Sequence, residues 1–206
     1  MNKRTYAVAG LLLVILAFGN YTGCLILGEY EKYECIDCNV IVFTIDTLRA
    51  DHVSSYGYFE NTTPFLDEIA EKGISFDNAF SQIPHTPPSH WSIFSGLYPC
   101  RHGKFVPKAN GSDIITLSEI LGENGYTTSA FTGSYMVEGF AGEFEYFNSR
   151  TGKGRYKRLT FRPAMDTTKE VLSWLDNHSR EKLFLWVHYF DPHSPYEPPK
   201  EYDIFN

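Results

Sequence analysis

The hexapeptide "HTPPSH", His85 to His90, sets one hydroxyl, Thr86, directly ahead of two prolines, with Ser89 and His90 behind them. Proline is tolerated in the first turn of a helix, so the pattern predicts a helix beginning near Pro87 or Pro88 and running to about Ser95. Thr86 would then sit at the positive end of that helix, where unpaired backbone N–H groups and the dipole favour an anion. A threonine there is either a cap or a nucleophile. Two other places bear on the choice. Asp46 closes the apolar run "NVIVFTID", and Asp191 and His193 follow a second apolar run in "VHYFDPHSPYEPP". A carboxylate, a hydroxyl and an imidazole at one rim are the parts needed for metal-assisted attack on an oxyanion. The carboxylate holds a divalent cation, which acidifies the hydroxyl and shields the ester oxygens, while the imidazole donates to a non-bridging or leaving oxygen.

For these groups to meet, their elements must share one sheet edge, and ligands of open α/β sheets bind beyond the carboxyl ends of the strands. "NVIVFTID" and "KLFLWVHYF" are nearly continuous β-branched and aromatic runs, the pattern of strands buried on both faces. Thr127 to Thr132 predicts a third strand, and "ISFDNAF" a fourth. Between them, "TTPFLDEIAEKG" predicts a helix with Pro64 in its first turn, Phe65, Leu66 and Ile69 on one face and Gly73 as its stop. "TLSEILGENG" carries a capping box in Thr116 and Glu119, with Gly125 ending the helix. "MDTTKEVLSWLDNH" is amphipathic, with Val171, Leu172, Trp174 and Leu175 inward, whereas residues 133–160 predict surface loops. Strands alternating with helices imply an α/β domain with a largely parallel or mixed sheet flanked by helices.

Bulk properties narrow the partners. The chain has 206 residues and a formal net charge of -7, which excludes the basic footprint that nucleic acid requires. Residues 1–28 combine Lys3 and Arg4 with an apolar stretch from Tyr6 to Phe18, the layout of a signal peptide or membrane anchor. An extracytoplasmic protein, secreted or anchored through its N-terminus, is therefore expected. Cys35 and Cys38 form a C-x-x-C without a second pair at zinc spacing, so a small disulfide is the expected use.

The ordered set "NVIVFTIDTLRADHVSSYGY", "TPFLDEIAEKGISFDNAFSQ", "TPPSHWSIFSGLYPCRHG", "LSEILGENGYTTSAF" and "LWVHYFDPHSPYEPP" resembles the sulfatase family of the alkaline phosphatase superfamily, from Asn39 to Pro199. The resemblance implies an alkaline-phosphatase-like α/β three-layer sandwich and one divalent metal ion (calcium, manganese, zinc or magnesium). It also implies a covalent intermediate at the start of the nucleophile helix. By that resemblance Asp46 and Thr86 are metal ligands, Thr86 is also the nucleophile, and His193 serves catalysis and substrate contact. His90 stands at a substrate-binding position where the family has arginine. Arg49 and Asp51 imply a structural pair, and His102 a support behind the site.

Departures from the family pattern shift the expected chemistry. Family sulfatases convert a cysteine or serine to formylglycine, and threonine, with its β-methyl, leaves no aldehyde. Thr47 replaces the second aspartate of the usual pair, and Gly133 and Tyr135 stand where the family has lysine and histidine. The expectation is a metal-dependent hydrolase of sulfuric or phosphoric esters, leaning to phosphoester hydrolysis or transfer through Thr86. Its substrate would be an ester of a sugar, lipid head group or cell-wall polymer. The family's later metal ligands have no counterpart, so residues 39–206 read as the N-terminal portion of a longer domain, with a downstream chain completing the site. The alternative is an inactive sulfatase-like domain that binds an anion or a partner chain.

Overall fold

The computed structural model describes residues 38–106, 114–149 and 161–203. The expected signal or anchor at residues 1–28, and Cys35, lie outside the described residues. Cys38 is disulfide-bonded, whereas Cys100 is a free, exposed thiol. Among the described residues, no helix is long and apolar enough to cross a membrane.

Four strands form one parallel sheet in the order β1-β4-β2-β3: β1 (Val40–Ile45), β2 (Thr127–Thr132), β3 (Tyr146–Asn148) and β4 (Leu183–Tyr189). The five helices described are α1 (Pro64–Lys72), α2 (Thr86–Ser95), α3 (Pro99–His102), α4 (Leu117–Glu123) and α5 (Ala164–His178). β4, buried at every position except Tyr189, is central because both its faces and both its edges are covered. Side chains alternate across a strand. Phe184 and Trp186 therefore join Trp91 and Phe94 of α2 on one face, together with Val137, Phe140 and Phe144. Leu183, Leu185 and Val187 point to the other face, against Val171 and Trp174 of α5 and Phe131 of β2. Fully burying each of these large side chains contributes about 1.5–3 kcal/mol. Together the two clusters lock helices to both faces of the sheet, as an α/β reading requires.

The register brings chemistry to one end. Thr44 of β1 and Thr132 of β2 both pair with His188 of β4, so a polar row crosses the sheet near the carboxyl ends of its strands. All three residues lie on the face that packs against α2 by the same alternation.

Several local expectations need correction. Residues 74–80 form no strand; their backbone is irregular and Ile74, Phe76 and Phe80 are exposed. Of the predicted loops at residues 133–160, the described part, 133–149, is not simply surface: Tyr135–Phe140 is a 3-10 turn, Tyr146–Asn148 is β3, and Val137, Phe140 and Phe144 are core. Aromatic burial there outweighed the glycine-rich composition. Leu172 points outward, since Val171 and Trp174 already fill the strip of α5 that meets the sheet. On α1 the predicted apolar face is exposed at Phe65 and Ile69.

Candidate active site

β1 ends at the rim of the sheet, where the Asp46 N–H still donates to the Tyr189 carbonyl at 2.9 Å. The next residue, Thr47, takes a positive φ of 58°. For a β-branched residue this is strained, costing about 1–2 kcal/mol. The strain turns the chain away immediately after Asp46.

α2 approaches the same rim. His85 is extended and caps the helix, and Thr86 is its first helical residue, one position earlier than the prolines alone predict. Pro87 and Pro88 lack N–H groups, so two of the donors that a helix N-terminus ordinarily offers are absent. The Thr86 hydroxyl donates to Asp46 Oδ2 at 3.0 Å, across 40 positions of sequence. The Asp46 side chain is only 8% exposed. Thr86 and Asp46 line one cleft of about 570 Å³ with Thr47, Ser89, His90 and His193. Among the described residues, no lysine or arginine lines it.

The histidines divide by position. His193 sits at the cleft, its ring stacked on Phe190 at 4.3 Å between centroids, and its Nδ1 is 3.0 Å from the Ser194 carbonyl. A carbonyl only accepts, so Nδ1 carries a proton; a neutral His193 then offers Nε2 as an acceptor, and donates to an ester oxygen only as imidazolium. His90 turns inward: Nδ1 lies 2.7 Å from the Thr86 carbonyl and Nε2 3.2 Å from Thr44 Oγ1, so both ring nitrogens already have protein partners. Burial pushes the His90 pKa down, against the opposing effects of the Thr86 carbonyl and Asp46. His102 lies behind α2, where its Nδ1 accepts from the Lys104 N–H and Nε2 donates to Ser92 Oγ at 3.1 Å. Asp191 serves structure instead, accepting from the Ala164 N–H at 2.9 Å at the start of α5. Arg49 and Asp51 form an exposed ion pair apart from the cleft.

Sequence reasoning passed over Thr44, Trp186 and His188. The Trp186 indole donates to Thr44 Oγ1 at 3.0 Å, and His188 Nδ1 lies 2.8 Å from the same oxygen. His188 is fully buried, its Nε2 has no hydrogen-bond partner, and it stands 3.6 Å from Asp46 Oδ2. Burial, and then the neighbouring His90, hold its pKa well below the usual histidine range. A signal existed: Thr44 and His188 are polar interruptions in runs otherwise apolar.

These donors fit a divalent cation in part. Asp46 supplies a carboxylate and Thr86 a hydroxyl oxygen, side by side, with the unpartnered His188 nitrogen beyond them. Among the described residues no group of three or more His, Cys, Asp or Glu side chains is placed to hold a metal.

Known proteins resemble this chain in sequence and fold. The N-acetylglucosamine-6-O-sulfatase of Bacteroides thetaiotaomicron is 27% identical over 213 residues, covering 95% of this chain and 37% of its own length. Two solved structures share the fold. The C-terminal periplasmic domain of EcEptC from Escherichia coli, in complex with zinc, has a TM-score of 0.60 and 17% identity, over 82% of this chain and 49% of that one. The phosphonate monoester hydrolase of Agrobacterium radiobacter has a TM-score of 0.62 and 18% identity, over 79% and 42% respectively. The chain thus spans less than half the length of each of these three proteins. The Sulfatase family pattern matches residues 38–205, from just before β1 to beyond the last turn, taking in every rim residue described above, and the chain belongs to the sulfatase family.

Proposed function

We propose that this chain carries the nucleophile half of a metal-dependent ester hydrolase or transferase, acting on phosphoric rather than sulfuric esters through Thr86. One observation carries the reading: the Thr86 hydroxyl and the Asp46 carboxylate meet at 3.0 Å on one rim. An anionic ester entering there meets a carboxylate and, among the described residues, no lysine or arginine, so its charge needs a cation. Asp46 and Thr86 would hold that ion, which when bound acidifies the hydroxyl and shields the ester oxygens. Thr86 Oγ, its proton released to water, would then form a bond to phosphorus as the bond to the leaving oxygen breaks, and His193 as imidazolium would protonate that oxygen. Water or an acceptor alcohol next displaces the threonine oxygen in line.

The preference for phosphorus follows from the residue. A formylglycine hydrate sheds sulfate by elimination, whereas a threonyl sulfate has no such route and turns over poorly. A threonyl phosphate is open to in-line displacement. The phosphonate monoester hydrolase and the zinc-bound EcEptC domain support the lean towards phosphorus and a divalent ion. The sulfated-sugar relative keeps a sugar ester among the substrate classes. The remaining metal ligands come, on this reading, from further polypeptide, supported by the relatives' greater length. The disulfide at Cys38 supports an extracytoplasmic setting, since such bonds persist outside reducing compartments.

The test is hydrolysis of an aryl phosphodiester and of an aryl sulfate with added zinc, manganese or calcium. The expected result is metal-dependent cleavage of the phosphodiester in preference to the sulfate. Thr86→Val should lower it at least about a thousandfold. Full activity in Thr86→Val, or a preference for the sulfate, overturns the reading.

A further inference from the structure

The hydrogen bonds around Thr44 leave little freedom in where protons sit. The Thr86 carbonyl can only accept, so His90 Nδ1 carries a proton and, in the neutral ring, Nε2 is a bare acceptor. The atom available to satisfy that nitrogen is Thr44 Oγ1, at 3.2 Å, and its single proton is thereby spent. The Trp186 indole, a donor only, occupies one of the two lone pairs on Thr44 Oγ1. His188 Nδ1, 2.8 Å away, must then donate to the other. A neutral His188 protonated at Nδ1 presents a bare lone pair at Nε2.

That lone pair lies 3.6 Å from Asp46 Oδ2. The separation is too long for a hydrogen bond. It suits two atoms that ligate one cation, since bonds of about 2.0–2.2 Å at a roughly tetrahedral angle leave about 3.4 Å between ligand atoms. Two electron-pair donors facing each other repel, and a fully buried acceptor without a partner is costly, unless something positive sits between them. We propose that His188 Nε2 is a ligand for the divalent cation held by Asp46. The chain Trp186–Thr44–His90 is then the positioning device that fixes its tautomer and ties the Thr86 backbone to β1. The assignment rests on the cation-assisted reading of Asp46 and Thr86, and adds a nitrogen donor to that oxygen pair. An N,O donor set suits zinc better than calcium or magnesium, which prefer oxygen.

The experiment is long-range proton–nitrogen NMR on the full chain with isotope-labelled histidine, first metal-free and then titrated with zinc. The wild-type spectrum decides without any substitution. His90 and His188 are both expected as the Nδ1–H tautomer, and zinc should move the His188 Nε2 resonance saturably. In His188→Asn, zinc affinity should fall at least about tenfold. Should that variant fail to fold, Thr44→Val keeps the imidazole but frees Nδ1, and should weaken zinc binding too. A His188 bearing its proton on Nε2, or zinc saturation that leaves that resonance unmoved, overturns the assignment. Zinc-dependent turnover with an unmoved Nε2 sinks the ligand role alone. A zinc-shifted Nε2 in a chain without turnover upholds the ligand and sinks the catalytic reading.

Discussion

Thr86 and His188 flank Asp46, the first joined to it by a hydrogen bond and the second facing it across 3.6 Å. The buried imidazoles have a consequence that does not depend on catalysis. His188 and His90 are pushed below the unfolded histidine value near 6.5 by burial. Between the folded and unfolded pKa values the unfolded chain binds more protons, so stability rises with pH across that window. Stability should therefore be full above about pH 6.5 and fall progressively below it. Thermal unfolding from about pH 8 to about pH 5 checks this, and the slope should be shallower in His188→Asn. A flat profile would show that these rings are not buried neutral. His188 is legible in the sequence only as a polar letter in an apolar string, and nothing local says which face it occupies.

At the scale of elements, two devices hold the rim. The first is Thr47, whose left-handed backbone ends β1 just past Asp46. Thr47→Gly removes the β-branched strain at the expense of some chain entropy, and should raise Tm by about 2–4 °C. An unchanged or lower Tm would mean that the Thr47 side chain repays its own strain. The second is Arg162, which is 3% exposed and joins three elements. Its guanidinium donates to Asn148 Oδ1 at 2.6 Å, to the Thr132 carbonyl at 3.1 Å and to Thr167 Oγ1 at 3.1 Å. These contacts clamp the ends of β2 and β3 to the start of α5. Arg162→Ala orphans several buried acceptors at about 1–3 kcal/mol each, so urea unfolding should show a loss of at least about 3 kcal/mol. A loss under about 1 kcal/mol would mean that water replaces the clamp. Sequence reading placed Arg162 in no element, because its partners lie in three separate segments.

At the scale of the molecule, the apolar surface of the described residues is unevenly covered. Tyr189 and Phe43 stack beside one another at 6.3 Å, yet Phe43 remains 58% exposed and Ile41 50%. β1 pairs with β4 alone, so among the described residues its other edge is unpaired. Open edges and exposed apolar faces associate. The purified chain should bind a hydrophobic dye and sediment as concentration-dependent oligomers, and Phe43→Lys should reduce both. A monomer at every concentration would count against this.

What the sequence by itself determined were the features that short-range physics controls. β1 and β4 are nearly continuous β-branched and aromatic runs, α5 is periodic, and the Thr116 cap is a four-residue signal; each forms for reasons contained in its own segment. The pairing of Asp46 with Thr86 was also legible, because motif order places both at the carboxyl rim of a parallel sheet. Only the tertiary structure decided which residues stand behind that pair. Thr44 meets His188 across 144 positions because β1 and β4 pair in one register, and a slip of β1 by one residue would send the Thr44 hydroxyl to the face opposite the His188 ring. Register is a property of the whole packed sheet, settled by two apolar clusters at once, and no single segment encodes it.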